Sequence, residues 1–115
     1  NFVTDAENQK NSIQRIIEYI DHHYKEDLSR TTLADMVYLS ADHLARVFKK
    51  ETGETLVKYI TDKRIHAAKE LLSDTKTPIS QVASEVGYDN YSYFTKIFKE
   101  KTGVSPGDYR KHQAE

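Results

Sequence analysis

Two sets of side chains have the types and the spacing to read a nucleic-acid groove. Asp42, Ala45, Arg46 and Lys49 fall at intervals that stack them on one face of a helix, and Ser92, Thr95, Lys96 and Lys99 repeat that spacing, with Tyr91 just ahead of them. Arginine and lysine donate to guanine O6 and N7, aspartate accepts from cytosine N4, and serine or threonine bonds either a base edge or a phosphate. Lys49, Lys50, Lys99 and Lys101 also suit phosphate contacts, which position a protein without reading sequence. Any one of these lysines taken alone fits a solvated helix face equally well.

Other chemistries find less support. The chain has no cysteine, which removes disulfides, zinc–thiolate sites and thiol nucleophiles and suits a reducing cytoplasm. His22 and His23 are adjacent and point to different helix faces, unlike the i, i+4 pair of a metal helix, and His43, His66 and His112 have no companion at ligand spacing. No glycine-rich phosphate cradle and no nucleophile–base arrangement stands out. No cofactor and no catalytic role are expected. The apolar runs are too short to span a bilayer, no stretch reads as a signal peptide, and the start at Asn1 instead of Met suggests an excised piece of a longer protein.

The two stripes must be held by elements, and the sequence repeats those elements as well. The stretch LARVFKKETGETLVKY at 44–59 returns as FTKIFKEKTGVSPGDY at 94–109, so that Phe48, Lys49, Thr52, Gly53 and Tyr59 recur as Phe98, Lys99, Thr102, Gly103 and Tyr109. Upstream, Leu33, Ala34 and Val37 are echoed by Val82, Ala83 and Val86 with an offset shorter by one, so the second copy carries one extra residue between its helices. Each unit reads as helix, short turn, helix, glycine stop and a further helix. Ala34 and Ala83 stand where two helices of a helix-turn-helix cross. Gly87 supplies the glycine that such a turn commonly needs for positive φ, whereas the first unit has Tyr38 there.

The expected organisation is all-α, with seven helices forming two helix-turn-helix units joined by a long linker helix. Residues 1–10 lack periodicity and read as a linker tail. Residues 11–54 form the first subdomain, with Ile13, Ile16, Ile17, Ile20 and Tyr24 as the apolar stripe of its first helix. Ser29 or Thr31 can cap the second helix and Ser40 the third, where Leu44, Val47 and Phe48 face inward and Gly53 ends it. Residues 55–74, capped by Thr55, make a linker helix about 28 Å long with no Gly or Pro inside. In the second subdomain, 75–115, Thr77-Pro78 offers a capping hydroxyl and first-turn proline. Asp89 or Asn90 caps the sixth helix, in which Phe94, Ile97 and Phe98 are buried, and Ser105-Pro106 opens a last helix ending near Lys111.

The formal net charge of −1 is low for a DNA-binding domain, so the distribution of charge carries the argument. Residues 1–27 hold three Lys/Arg against six Asp/Glu, while residues 44–69 hold seven basic side chains against three acidic ones. Positive charge therefore gathers around the repeated element. A spacer of this length, with the width of the packed units, would set the two stripes about 34 Å apart, one turn of duplex DNA. The stripes differ, so the two half-sites would differ, and bending of the DNA would absorb any shortfall in spacing. A helical protein-interaction module is the alternative from another class; it accounts for amphipathic helices and near-zero charge but not for twin caps, twin stops and twin stripes.

From Ile13 to Arg110 the chain resembles the DNA-binding domain of the AraC/XylS family of bacterial transcription regulators. The resemblance lies in Leu33-Ala34, Ser40 with Leu44, Phe48 to Gly53, Tyr59-Ile60, Arg64-Ile65, Ala68, Leu71-Leu72, Pro78-Ile79, Val82-Ala83 and Val86-Gly87-Tyr88. Tyr93-Phe94, Phe98-Lys99, Gly103, Ser105-Pro106 and Tyr109-Arg110 complete it. It implies seven helices and two helix-turn-helix units that bind adjacent major grooves to activate or repress promoters. Carried over by position, it places base reading on Asp42, Ala45, Arg46, Ser92, Thr95 and Lys96; Tyr91 is added from the residues alone. Ala45 offers only an apolar contact and Asp42 repels phosphates, so Arg46 is expected to carry most of the first unit's discrimination. The resemblance further implies RNA polymerase as a partner and a missing N-terminal domain, either a receiver of a two-component response regulator or a ligand-binding domain. The isolated domain is expected to be monomeric, the full-length protein dimeric, and both cytoplasmic.

Overall fold

The computed structural model describes the backbone of residues 5–74 and 76–113. These residues form seven helices and no strand: α1 (Asp5–His23), α2 (Arg30–Met36), α3 (Ala41–Thr52), α4 (Leu56–Leu72), α5 (Ile79–Glu85), α6 (Tyr91–Thr102) and α7 (Pro106–Gln113). The chain divides into two compact units, 1–60 and 61–115.

In the first unit the stripe of α1 is buried as its spacing predicts, with Ile13, Ile16 and Ile20 packed on Leu33, Ala34 and Val37 of the α2 segment and on Leu44, Val47 and Phe48 of α3. Ala34 is 1% exposed, and its single methyl lets α2 and α3 approach at the crossing. Ser29 caps α2 by accepting from the Thr32 amide at 2.9 Å, and Ser40 caps α3 by accepting from the His43 amide at 3.1 Å. Each cap satisfies an amide that the helix start would otherwise leave unpaired. Gly53, with φ of 80°, ends α3 and donates its N–H to the Lys49 carbonyl at 2.8 Å.

The second unit repeats this with other residues. Ile65, Ala68 and Leu72 of α4 pack with Val82, Ala83 and Val86 and with Phe94 and Phe98 of α6. Asn90, not Asp89, caps α6, accepting from the Tyr93 amide at 3.0 Å. Gly103 (φ 86°) ends α6 and Ser105 caps α7 through the Asp108 amide. Ile97 is only partly buried, at the edge of this core.

Some expected details come out differently. α1 starts at Asp5, so most of the presumed linker tail is helical; residues 6–10 hold no apolar side chain larger than Ala6 and are mostly exposed, which hides them from an apolar-periodicity test although they extend an existing hydrogen-bond ladder at little cost. Residues 1–4 of that tail lie outside the described residues. The division between the two compact units falls inside α4, between Ile60 and Thr61. Leu56, Tyr59 and Ile60 belong to the first core and Ile65, Ala68 and Leu72 to the second, so the connecting helix is part of both cores. Last, Thr77 does not cap α5. Its hydroxyl donates to Asp74 Oδ2 at 3.1 Å, and Pro78 occupies the cap position with no side-chain bond.

Candidate nucleic-acid interface

Burying Leu44, Val47 and Phe48 leaves the opposite face of α3 outward, and Asp42, Arg46, Lys49 and Lys50 are all exposed there, with Ala45 half-buried between them. Asp42 and Arg46 lie in the first two turns, the part of a recognition helix that meets base edges. Lys49 and Lys50 occupy the last turn, and Ala45, Arg46, Lys49 and Lys50 line a shallow groove with Thr55 and Leu56 from the start of α4. The stripe expected in this unit is thus assembled on one surface.

On α6, Ser92, Lys96 and Lys99 are exposed, Tyr91 is 48% exposed and Thr95 is half-buried. The Thr95 hydroxyl donates to the Tyr91 carbonyl at 3.0 Å. Its one proton is spent within the helix, so toward a base Thr95 presents lone pairs and a methyl group. Lys101 is paired within the second unit: its ammonium lies 3.2 Å from Asp62 Oδ1 of α4. Lys99 keeps the outward position.

Two residues of this surface escaped sequence reasoning. Arg30, the first residue of α2, brings its guanidinium to 3.9 Å from Asp42 Oδ1. Nothing in the spacing of the α3 stripe points to a residue twelve positions upstream; only the cap at Ser29, which fixes where α2 begins, does so. Tyr93 is 52% exposed and leans on Tyr88 at 5.9 Å between ring centroids, with the Arg64 guanidinium 5.2 Å from the Tyr88 ring.

The scaffold beneath each stripe is built alike. In the first unit the Thr52 hydroxyl donates to the Phe48 carbonyl at 2.8 Å and accepts from the Glu54 amide; in the second, Thr102 does the same with Phe98 and Val104. Phe48 meets Tyr59 edge to face at 5.7 Å, and Phe98 meets Tyr109 likewise at 5.5 Å. The Tyr59 hydroxyl donates to Asp21 Oδ1 at 2.8 Å, and burial, followed by this bond to a carboxylate, pushes its pKa up to about 12. Burial also pushes the Tyr88 phenol up, against the pull of Arg64. In the second unit Arg110 Nε donates to the Leu72 carbonyl at 3.2 Å, tying α7 to the end of α4.

Among the described residues no group of three or more His, Cys, Asp or Glu stands close enough to hold a metal, and no helix is long and apolar enough to cross a membrane. What the outward faces do carry is hydrogen-bond donors and cations on two helices, which suits groove recognition.

Comparison with known proteins agrees with this geometry. A family model described as a helix-turn-helix domain matches residues 33–112. The bifunctional transcriptional activator/DNA repair enzyme AdaA of Bacillus subtilis is 44% identical over 98 residues, which cover 85% of this chain and 46% of that protein. The arabinose operon regulatory protein of Escherichia coli is 36% identical over 101 residues, 87% of this chain and 35% of its own length. Among solved structures, the C-terminal domain of AraT, a response regulator from Geobacillus stearothermophilus, superposes with a TM-score of 0.84 at 36% identity, covering 88% of this chain and 84% of that one. The chain spans less than half the length of these curated relatives. Two capped, glycine-stopped recognition helices and matches that run through both of them have one explanation: the chain belongs to the AraC/XylS family and is a helix-turn-helix DNA-binding domain of a transcription regulator.

Proposed function

We propose that this domain binds an asymmetric promoter site as a monomer, inserting α3 and α6 into successive major grooves on one face of the duplex. The observation that supports it is the equivalence of the two units beneath unlike surfaces: matching crossings, caps and stops present Asp42, Ala45 and Arg46 in one and Tyr91, Ser92, Thr95 and Lys96 in the other. Equal scaffolds imply equal docking, and unequal stripes imply two unlike half-sites. Lys49, Lys50 and Lys99 serve phosphates, and Lys101 does so only by leaving Asp62.

In the full-length protein this domain is the output part of a cytoplasmic transcription regulator. A receiver or ligand-binding domain precedes it, dimerisation raises its affinity, and RNA polymerase is the partner at the promoter. The domain itself carries out no reaction; the repair activity in the name of AdaA belongs to that protein, of which this chain matches under half.

Selection of this domain on random duplexes, followed by titration of the winning site across salt concentrations, tests the reading. Two unlike elements about one helical turn apart, with affinity that falls steeply as salt rises, are expected. A single element, a palindrome, or no enrichment even for a joined dimer would overturn it, the last in favour of a protein-interaction module.

A further inference from the structure

The least explicable member of the first stripe is Asp42. A carboxylate 95% exposed in the first turn of a recognition helix would meet the phosphate backbone as a like charge, yet the structure places a guanidinium beside it. Arg30 reaches it from the start of α2, across the turn, at 3.9 Å, and its own side chain stays 56% exposed. In a helix-turn-helix the first helix crosses the DNA backbone while the second enters the groove. Arg30 is therefore on the backbone side of Asp42. A guanidinium has five N–H donors in a planar fork, so it can hold a carboxylate with one edge and a phosphate oxygen with another, which a lysine ammonium does with far less geometric control.

We propose that Arg30 is a phosphate-binding and positioning residue that turns Asp42 from a repeller into a base reader. On DNA, Arg30 bridges a backbone phosphate and the Asp42 carboxylate, cancels the repulsion between them, and holds Asp42 so that it accepts from a cytosine N4 amino group. The pair forms one reading unit in α2 and α3, and the second unit has no such pair: Ser92, the counterpart of Asp42, and Ile79, the counterpart of Arg30, are both uncharged. At the surface of the free protein this ion pair contributes little, because water screens both partners. Its contribution appears when DNA removes that water. The inference rests on the two-groove reading, in which α3 enters a major groove.

The test uses the domain and its own selected site, with each base substituted in turn at every position. Asp42→Asn is expected to reduce a preference for cytosine at one position of the first half-site by about tenfold. Arg30→Ala is expected to weaken the same preference at the same position, to leave the second half-site unchanged, and to lower the salt slope by about one phosphate's worth. Arg30→Lys should restore the slope without restoring the cytosine preference. In an Asp42→Ala background Arg30→Ala should change only the slope. Retention of the cytosine preference by Arg30→Ala, or losses in the two single variants that simply multiply in the double variant, would overturn the positioning role. So would an Asp42→Asn variant that reads its site as the wild type does. In all of these outcomes the wild-type domain still enriches a two-element site; if it enriches none, the two-groove reading itself fails. Arg30 lies outside both cores, and thermal unfolding of each variant at the wild-type temperature confirms that binding, not folding, is being read.

Discussion

The two helix-turn-helix units make the same turn from different residues. In the first, Tyr38 sits at φ 60° and the next amide, that of Leu39, donates to the Ala34 carbonyl at 3.0 Å. In the second, Gly87 sits at φ 107° and the Tyr88 amide donates to the Ala83 carbonyl at 2.9 Å. Asp89 then adds one residue before the cap of α6. The turn therefore needs a left-handed residue two or three places before the cap of the next helix and a small residue where the helices cross; it does not need glycine. An aromatic side chain is tolerated because nothing packs on it: Tyr38 is 92% exposed. The exits from α3 and α6 show the opposite behaviour, with glycine, threonine and tyrosine at matching places in both units. There the backbone, a side-chain hydroxyl and a ring contact meet within a few residues, and each fixes the others.

If the units are built alike, they should break alike. Phe48→Ala and Phe98→Ala each remove a fully buried ring, at matching places in α3 and α6, and should each cost about 3–5 kcal/mol. Chemical denaturation with amide exchange resolved along the chain measures this, and the loss of protection should begin in the unit that carries the change. Equal loss in both units from one substitution would mean that α4 makes them a single cooperative body. Ala34→Leu and Ala83→Leu overpack the crossings and should cost about 1–3 kcal/mol and abolish binding with it. An unchanged melting temperature with unchanged binding would remove those alanines from the crossing. Arg46→Ala should weaken DNA binding by about 1–3 kcal/mol and relax discrimination in one half-site only, whereas uniform weakening across sequences would make Arg46 a phosphate contact.

Glycine and tyrosine chemistry sharpen the comparison further. Gly87→Ala forces a Cβ into a left-handed conformation and should destabilise the second unit by about 1–2 kcal/mol. The phenols give a pH signature for each unit. Tyr59 has its folded pKa raised to about 12 from an ordinary 10, and Tyr88 is raised too. Folding holds both in the neutral form, so each contribution is complete below pH 10 and is lost above it as the unfolded chain ionises first, for Tyr59 as pH climbs toward 12. Tyr59→Phe should flatten this alkaline loss in the first unit and Tyr88→Phe in the second, as followed by denaturation between pH 8 and 12. The Tyr59 change also removes the bond to Asp21, which should cost about 1 kcal/mol at neutral pH.

Most of this fold is legible in the residues because its determinants are local. Ser40, Gly53, Ser105 and Gly103 start and stop helices through bonds made within four residues, and the inward stripes follow from spacing alone. The stretches that misled are those where local and tertiary signals part. Residues 5–10 carry no apolar stripe yet continue a helix; Thr77 precedes a proline in the manner of a cap but bonds back to Asp74. The same holds for the candidate interface. The α3 and α6 stripes could be found by periodicity, whereas the partner of Lys101 is Asp62 and that of Asp42 is Arg30, both on other helices. Contacts between helices depend on how the core closes, which spacing along one helix does not contain.

The smallest effect bears most directly on the turn. Tyr38 holds a left-handed φ at which a non-glycine residue sacrifices about 1 kcal/mol or more, and its exposed ring returns no packing. Asparagine tolerates this region better than tyrosine and adds little chain entropy, so Tyr38→Asn should stabilise the first unit by about 0.5 kcal/mol. Glycine removes the strain entirely but loosens the unfolded chain by about 0.5–1 kcal/mol, so Tyr38→Gly should come out near neutral. The order of the two, asparagine above glycine, separates backbone strain from unfolded-state entropy, and denaturation midpoints at constant slope resolve it. If both substitutions destabilise the unit by more than about 1 kcal/mol, the Tyr38 ring is making a stabilising contact, and the turn tolerates tyrosine because it uses the ring.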